Sequence, residues 1–301
     1  MSLFNRRHAV QLAAAGLSSI AIQRGLRASE HLGDCPICVF TKPFNSLSFD
    51  ELAEQIAEIG FDGIEAPIRP GGHVEPSDVP SRLPKLVNAL AKRDLKVNIL
   101  TSSINNVDEE VARKALQTAA ELGIKQFRMQ YFKYDVSKPV FEQLDAWTKT
   151  VAKLGEFCAK LGIQAVYQNH AGVNYMGAAL WDLKHVLRDI DPAHVGVAYD
   201  VRHATVEGGT SWPMTFRMLA PHVVAVCIKD FQWDGKKLKN VPLGTGRVEP
   251  SFFKLLAEAN FTGPISLHEE YLNHKDPSLV GEHMRAIRGD YKTLRRWLSE
   301  V

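Results

Sequence analysis

The sequence has 301 residues, of which 45% are hydrophobic and 23% are charged, with 21 glycines, 15 prolines and four cysteines. These proportions and a mean hydropathy of −0.15 are those of an ordinary soluble globular protein, and they exclude disordered, collagen-like and disulfide-scaffold classes. The formal net charge is +2, but residues 1–29 hold four arginines and no acidic residue. The remaining chain has 32 basic and 34 acidic residues. Because this part lacks a basic excess, nucleic acid is not an expected partner.

The N-terminal segment, residues 1–29, has the composition of an export signal. Arg6 and Arg7 precede a mostly apolar run that is too short to span a bilayer, and two further arginines follow it. This order is similar to a twin-arginine signal, and a basic N-terminal helix is the alternative. We expect a periplasmic or otherwise exported protein, or a cytoplasmic one if the signal does not function. No later segment is apolar for long enough to be transmembrane, so no membrane association beyond export is expected.

From residue 36 onward one pattern repeats: an amphipathic helix, a Gly or Asn, and a short apolar strand. Residues 51–60 followed by 61–65 are one copy, and 157–162 followed by 163–167 are another. Such alternation predicts helices around a buried parallel sheet. We predict an α/β fold, a single (β/α)8 TIM barrel over 30–301, with an open doubly wound sheet as the alternative. The strands are predicted at about 36–41, 61–66, 95–100, 124–129, 163–169, 194–200, 223–229 and 264–269, and the last helix at 278–299.

Polar residues stand at the predicted carboxyl ends of these strands, where TIM barrels carry their active sites. Burying so many charges at one mouth without a ligand or an ion is costly, so we predict a functional site there. Trp212 and Trp233, in segments predicted to be loops, would supply apolar walls or a lid for a sugar ring. The polar set comprises Glu65, Arg128, Gln168, His170, Asp200, His203, Cys227, Lys229, Asp230, His268 and Glu270.

These strand ends resemble those of the xylose-isomerase-like TIM barrels, a family of sugar and sugar phosphate isomerases and epimerases, inosose dehydratases and apurinic-site endonucleases. The resemblance covers residue 36 to the C-terminus. It is carried by Gly60–Glu65 for the strand-2 motif, Gln168-Asn169-His170 for Glu-Asn-His, Asp200–His203 for Asp-x-x-His, Cys227–Asp230 for His-x-Lys-Asp and Gly263–His268 for the segment that ends in Glu.

The resemblance implies one divalent ion (manganese, cobalt, zinc or magnesium) held by Glu, Asp, His and Glu from strands 5 to 8. Two glutamates would move protons on either side of an enediolate. In this chain Gln168, Cys227 and His268 replace three of these ligands, and Asp200 alone is retained. The four side chains keep coordinating atoms for an ion such as zinc, so an altered metal site is one expectation. The other is that Cys227 is a small core residue and that no ion is held.

We therefore predict a sugar isomerase or epimerase-like enzyme that transfers a proton next to the carbonyl of a sugar or keto-sugar. Glu270 or His203 would be the general acid or base, and Lys229 would stabilise the enediolate or form a structural ion pair with Asp230. An export signal argues against a phosphorylated substrate. The expected partner is a small carbohydrate, and a homo-oligomer is left open. The predicted substrate contacts are Glu65, Gln168, His170, Asp230, Trp212 and Trp233.

Three other functions follow from the same features. A lyase or hydrolase step on a keto-glycoside would use the same acid and base groups. A non-catalytic carbohydrate-binding barrel is the alternative from another class, because Gln168 cannot abstract a proton. Action on abasic DNA is disfavoured, because the chain lacks the further His and Glu ligands of a three-metal cluster and the basic charge that DNA attracts.

Overall fold

The computed structural model describes residues 32–301, so the predicted export signal at 1–29 lies outside the described residues. In this range, eight parallel strands close into a barrel in the order β1-β10-β7-β6-β5-β4-β3-β2, which confirms the TIM barrel and excludes the open sheet. Every strand end lies within two residues of its predicted position. The strands are β1 (Ile37–Phe40), β2 (Gly63–Pro67), β3 (Lys96–Thr101), β4 (Gln126–Arg128), β5 (Gln164–Gln168), β6 (Val195–Asp200), β7 (Val223–Ile228) and β10 (Ile265–Leu267).

Helices cover the outside of the barrel, and their ends follow local sequence signals. Ser48 and Glu51 form a capping box at the start of α1, and Gly60, at a φ of 100°, ends it. Two helices, not one, connect β6 to β7. The helices are α1 (Phe49–Ile59), α2 (Val79–Ala91), α3 (Glu110–Glu121), α4 (Val140–Leu161), α5 (Trp181–Leu187), α6 (Val201–Gly208), α7 (Trp212–Leu219), α8 (Phe252–Glu258) and α9 (Val280–Ser299). Among the described helices, none has the length and apolar character needed to cross a bilayer.

The barrel strands separate two apolar layers. Alternate residues such as Tyr167 and Val226 belong to the large core between sheet and helices. A second, smaller cluster of buried side chains from β3, β5, β6 and β7 fills the interior of the barrel. It consists of Ile99, Val166, Ala198, Ala225 and Cys227. Cys227 is thus packed as a small apolar side chain near the floor of the predicted site.

A β-hairpin follows β7 where the sequence predicted a loop. β8 (Asp230–Asp234) pairs with β9 (Lys237–Val241) in an antiparallel register. Gly235 has a φ of 59° in the turn, a conformation that favours glycine. Asn240 on β9 donates a hydrogen bond to the backbone carbonyl of Glu270 at 3.2 Å. The hairpin is therefore anchored to the segment that follows β10.

Candidate active site

Glu65, on β2, lies at the centre of a buried hydrogen-bond network. Its Oε1 accepts from Thr101 Oγ1 at 2.5 Å and lies 3.0 Å from Arg128 Nε. Its Oε2 accepts from Ser266 Oγ at 2.6 Å and lies 2.8 Å from His268 Nε2. Burial alone would raise the pKa of Glu65, but Arg128 and His268 outweigh it and hold that pKa well below its usual range. Both oxygens are fully used, so Glu65 ties strand ends together and has no free position for the predicted substrate contact.

Gln168 links this network to Asp200. Its Oε1 accepts hydrogen bonds from Arg128 Nη1 and, at 2.5 Å, from Tyr131 Oη. Burial raises the pKa of Tyr131 to about 12 in spite of the nearby Arg128, so the phenol keeps its proton. Because two donors point at Oε1, the amide nitrogen faces the other way and donates to Asp200 Oδ2 at 2.8 Å. Gln168 therefore presents an N–H, and not an oxygen, to Asp200.

Lys229 lies between two carboxylates. Its Nζ is 3.3 Å from Asp200 Oδ2 and 2.7 Å from Glu270 Oε2, while Lys42 Nζ approaches the other oxygen of Glu270 at 3.6 Å. Burial alone would lower the pKa of Lys229, but Asp200 and Glu270 raise it. Burial would likewise raise the pKa of Glu270, yet Lys229, His268 and Lys42 hold it well below its usual range. An ammonium and a carboxylate therefore face each other here, and Lys229 does not form the alternative ion pair with Asp230.

The ring of His203 has a buried N–H group that lacks a hydrogen-bond partner among the described residues. Arg202 Nη1 lies 2.9 Å from His203 Nδ1, and because a guanidinium only donates, Nδ1 accepts and the ring proton is on Nε2. That Nε2 is buried and has no hydrogen-bond partner among the described residues, lying 3.6 Å from Asp200 Oδ2. Burial, and then Lys229, lower the pKa of His203 well below its ordinary value, so the ring is neutral. A neutral donor of this kind suits a developing oxyanion.

Aromatic rings form one wall of the mouth, although not the rings that the sequence indicated. The His170 ring lies 4.1 Å from the His203 ring and 4.4 Å from that of Tyr175. Trp212, by contrast, is buried and packs 6.1 Å from Phe252 in the core between barrel and helices. The predicted sugar contact of Trp212 is therefore wrong, because residues 212–219 form helix α7 and not a loop. Trp233 is exposed on the hairpin and stacks edge-on to Phe231.

Asp230 is turned away from the mouth. Its two oxygens accept hydrogen bonds from five backbone N–H groups, at 2.8–3.0 Å. These groups belong to Phe231, Gly244, Gly246, Arg247 and Val248. Asp230 holds the loop after the hairpin in place, which corrects its predicted role as a substrate contact.

The predicted ligand set of Gln168, Asp200, Cys227 and His268 does not fit a divalent ion in this arrangement. Gln168 turns its N–H toward Asp200, and Lys229 already lies against the Asp200 carboxylate. Burial, and then Glu65 and Asp200, raise the pKa of Cys227 well above its ordinary value, so an ion would have to displace the thiol proton in order to bind there. Within residues 32–301, the one cluster of three His, Cys, Asp or Glu ligand atoms within 4.8 Å of each other is Glu65, Cys227 and His268. Its carboxylate is already bonded to Arg128.

Sequence reasoning overlooked several cations and donors at the mouth. Lys42 and Arg69 come two residues after β1 and β2, so the same strand-end rule would have found them. Tyr131 lies three residues beyond the end of β4. Arg202 is hidden in the Asp-x-x-His motif, between the two residues that the motif specifies. These additions make the mouth more cationic than the predicted set suggested.

Comparison with known proteins places this barrel in a family. A family model described as the xylose isomerase-like TIM barrel matches residues 53–297. The chain belongs to this family. A search of curated protein sequences finds no significant match.

Solved structures share the fold of this xylose isomerase-like barrel at low sequence identity. A D-psicose 3-epimerase determined with D-fructose is 17% identical, with 88% of this chain and 99% of that chain covered and a TM-score of 0.63. A 3-keto-D-glucoside 4-epimerase from E. coli is 18% identical, with 87% and 99% covered and a TM-score of 0.64. A probable 3-DHS dehydratase from Bacillus anthracis is 14% identical, with 86% and 98% covered and a TM-score of 0.67.

Proposed function

We propose that this chain is a sugar isomerase or epimerase-like enzyme that moves a proton at the carbon next to a carbonyl. The observation that carries the proposal is the arrangement of Glu270, Lys229 and His203. Glu270 is an ionised carboxylate whose side-chain partners are two lysine ammonium groups. The buried His203 Nε2–H, 3.6 Å from Asp200 Oδ2, has no hydrogen-bond partner among the described residues. Epimerases of keto-sugars among the similar structures support the same reaction class.

Each group has a defined task in this chemistry. The ammonium of Lys229 and the N–H of His203 would bind the carbonyl oxygen and acidify the neighbouring C–H. Glu270 would take that proton, which leaves an enediolate whose negative charge is opposed by Lys229. Protonation of the same carbon from the opposite face, by water or a second acid, gives an epimer. Protonation of the former carbonyl carbon, with transfer of the neighbouring hydroxyl proton to the former carbonyl oxygen, gives an isomer. Because the pKa of Glu270 is held low, the carboxylate is a weak base, and the two electrophiles must supply most of the activation.

A lyase is the second candidate, since it shares the first step. If the carbon next to the enediolate carries a leaving group, collapse of the enediolate expels that group instead of recapturing the proton. A dehydratase among the similar structures favours this variant. The twin-arginine-like composition of residues 1–29 supports a further proposal, that the protein acts outside the cytoplasm on an unphosphorylated sugar.

The test is deuterium incorporation from D2O into a panel of keto-sugars and 3-keto-glycosides, followed by NMR and mass spectrometry. We expect exchange at the carbon next to the carbonyl of at least one compound. Glu270→Gln should reduce that exchange by about 10²- to 10⁴-fold, the usual contribution of general acid–base catalysis. Glu156→Gln, which removes the same charge from an exposed position on α4, should leave it unchanged.

Two results would contradict the proposal. Exchange that survives in Glu270→Gln would move the base to another residue. Binding of sugars without any exchange would favour the non-catalytic carbohydrate-binding barrel. Loss of a leaving group alongside exchange would identify the lyase.

A further inference from the structure

A cavity of about 540 Å³ opens beside the proposed catalytic groups. It is bounded by the segments that follow β1, β2 and β10, so it lies at the carboxyl end of the barrel. Three cations, Lys42, Arg69 and Lys275, line it together with His274, and none of the Asp or Glu residues in the described range does. A cavity with this lining selects an anion.

Arg69 is half-buried, and its guanidinium forms no ion pair with any carboxylate among the described residues. Its side chain has neither a hydrogen bond nor an ion pair to the described residues, and its guanidinium lies over the Phe40 ring, 5.7 Å from the ring centroid. Arg128 approaches the same ring at 5.0 Å. Burial and then the nearby Arg128 lower the pKa of Arg69, although Glu65 and Glu270, which lie beyond ion-pair distance, oppose that change. Taking a cation out of water without a counter-ion is costly, so the position calls for an anion from outside the chain.

Lys42 connects this cavity to the proposed catalytic base. It lines the cavity, and its ammonium also lies 3.6 Å from Glu270 Oε1. Lys229 Nζ also lies 2.7 Å from Glu270 Oε2, so the two lysines share this one carboxylate. Among the described residues, Arg69 has no carboxylate within ion-pair distance. An anion bound by Lys42 would lie within one side chain of the group proposed to move the proton.

The backbone after β2 is shaped to present Arg69 at this place. Gly71 has a φ of 73°, and a Cβ at Gly72 would lie 2.5 Å from the carbonyl oxygen of Pro67. Glu75 accepts a hydrogen bond from Gly71 N at 2.8 Å and fixes the turn. The turn therefore has one tightly defined course, and Arg69 sits at its start.

We infer that the substrate carries an oxyanion, a carboxylate or a phosphate, which Lys42 and Arg69 bind. The inference rests on the proposed function only for the position of the rest of the substrate, with its carbonyl at Lys229 and His203. It changes the expected substrate from a neutral sugar to an acidic one. A guanidinium is suited to either ligand, because both accept two parallel N–H bonds.

Calorimetric titration with D-glucose, D-glucuronate and D-glucose 6-phosphate tests this without any turnover. The three probes share one ring and differ at C6. We expect at least one of the two anions to bind about tenfold or more tightly than D-glucose, in keeping with a charge-assisted contact. Arg69→Gln should abolish that preference, and Arg69→Lys should retain part of it. Arg93→Gln, which removes an exposed charge at the opposite end of the barrel, should leave it intact.

The outcomes separate this inference from the proposed function. Equal binding of all three probes, no saturable binding of either anion, or a preference that survives in a folded Arg69→Gln would overturn the anion site, whatever the exchange experiment shows. If an anionic probe binds preferentially but no proton exchange is found, the anion site is retained and the proposed enzymatic activity is contradicted. Preference for the carboxylate agrees with the proposed export. Preference for D-glucose 6-phosphate would indicate a sugar phosphate, a class of substrate expected in the cytoplasm. That result would contradict the proposed export.

Discussion

The buried charges of this barrel belong to two regions, the mouth and the supporting framework, and two pairs of consecutive residues show the difference. At the end of β7, Lys229 faces the mouth, whereas Asp230 accepts five backbone N–H groups of the surrounding loop. After β10, Glu270 faces Lys229, whereas Glu269 accepts backbone N–H groups and pairs with His283. In each pair, one residue belongs to the proposed catalytic region and its neighbour to the supporting framework.

The two regions differ in how their charges are satisfied. Framework carboxylates are held by backbone donors, which cannot leave without unfolding a loop. Lys229 and Glu270 are held by other side chains, which can exchange one partner for a substrate at the cost of a rotamer change. In these two pairs, the charge that is held by side chains is the candidate for chemistry, and the charge that accepts backbone N–H groups belongs to the framework.

Among these variants, Lys229→Gln should give the largest effect, and this effect should be a loss of catalysis. Removing the ammonium leaves the enediolate without its cation, so we expect deuterium exchange to fall by roughly 10³-fold. The pKa of Glu270 should rise, because the strongest of the charges that oppose its burial is gone. The acid limb of the pH–rate profile should therefore move to higher pH. A profile that keeps its wild-type shape would show that Lys229 acts independently of Glu270.

Asp230→Ala should act on stability. Five N–H groups would lose their acceptor, so we expect the free energy of unfolding to fall by roughly 3–5 kcal/mol in denaturant titrations. Asp234→Ala, at an exposed position of the same hairpin, should change it by less than about 0.5 kcal/mol. A small effect at Asp230 would remove the basis for treating the two regions as different.

Asp290→Asn should reveal how far the stability of the framework depends on pH. Asp290 accepts from Leu243 N at 2.9 Å and lies 3.1 Å from Tyr271 Oη, and burial raises its pKa to about 7. A carboxyl whose pKa is higher in the folded state stabilises the fold below its ordinary pKa of 3.8, and that stability is lost as pH rises through 7. The variant should therefore gain on the order of 4 kcal/mol relative to wild type between pH 4 and 8. An Asp234→Asn control should show no such trend.

Trp233→Ala should give the smallest effect. The ring is exposed on the hairpin, and its aromatic contact is to Phe231. We expect less than about 0.5 kcal/mol in the free energy of unfolding and less than about a threefold change in sugar affinity. A larger loss of affinity would return Trp233 to the substrate wall that the sequence predicted.

The sequence predicts the barrel well because the repeated helix–Gly–strand pattern is local. It also brings Gln168, Asp200, Lys229 and Glu270 to one end, since parallel strands place their carboxyl ends together. It does not reveal the direction of a side chain after a strand ends, which is why Asp230 and Trp212 were misassigned. It also cannot tell which cation pairs with which carboxylate, because those contacts join residues far apart in sequence, such as Lys229 and Glu270.

The most direct test is to measure deuterium exchange by protein that has been dialysed against a chelator. Elemental analysis of the same sample gives its metal content. We expect exchange into the responsive sugar to persist without stoichiometric manganese, cobalt, zinc or magnesium, and to be lost in Glu270→Gln. Exchange that appears only when one of these ions is added back, and that disappears in Asp200→Ala together with the bound ion, would contradict it. That result would restore the altered metal site of Gln168, Asp200, Cys227 and His268.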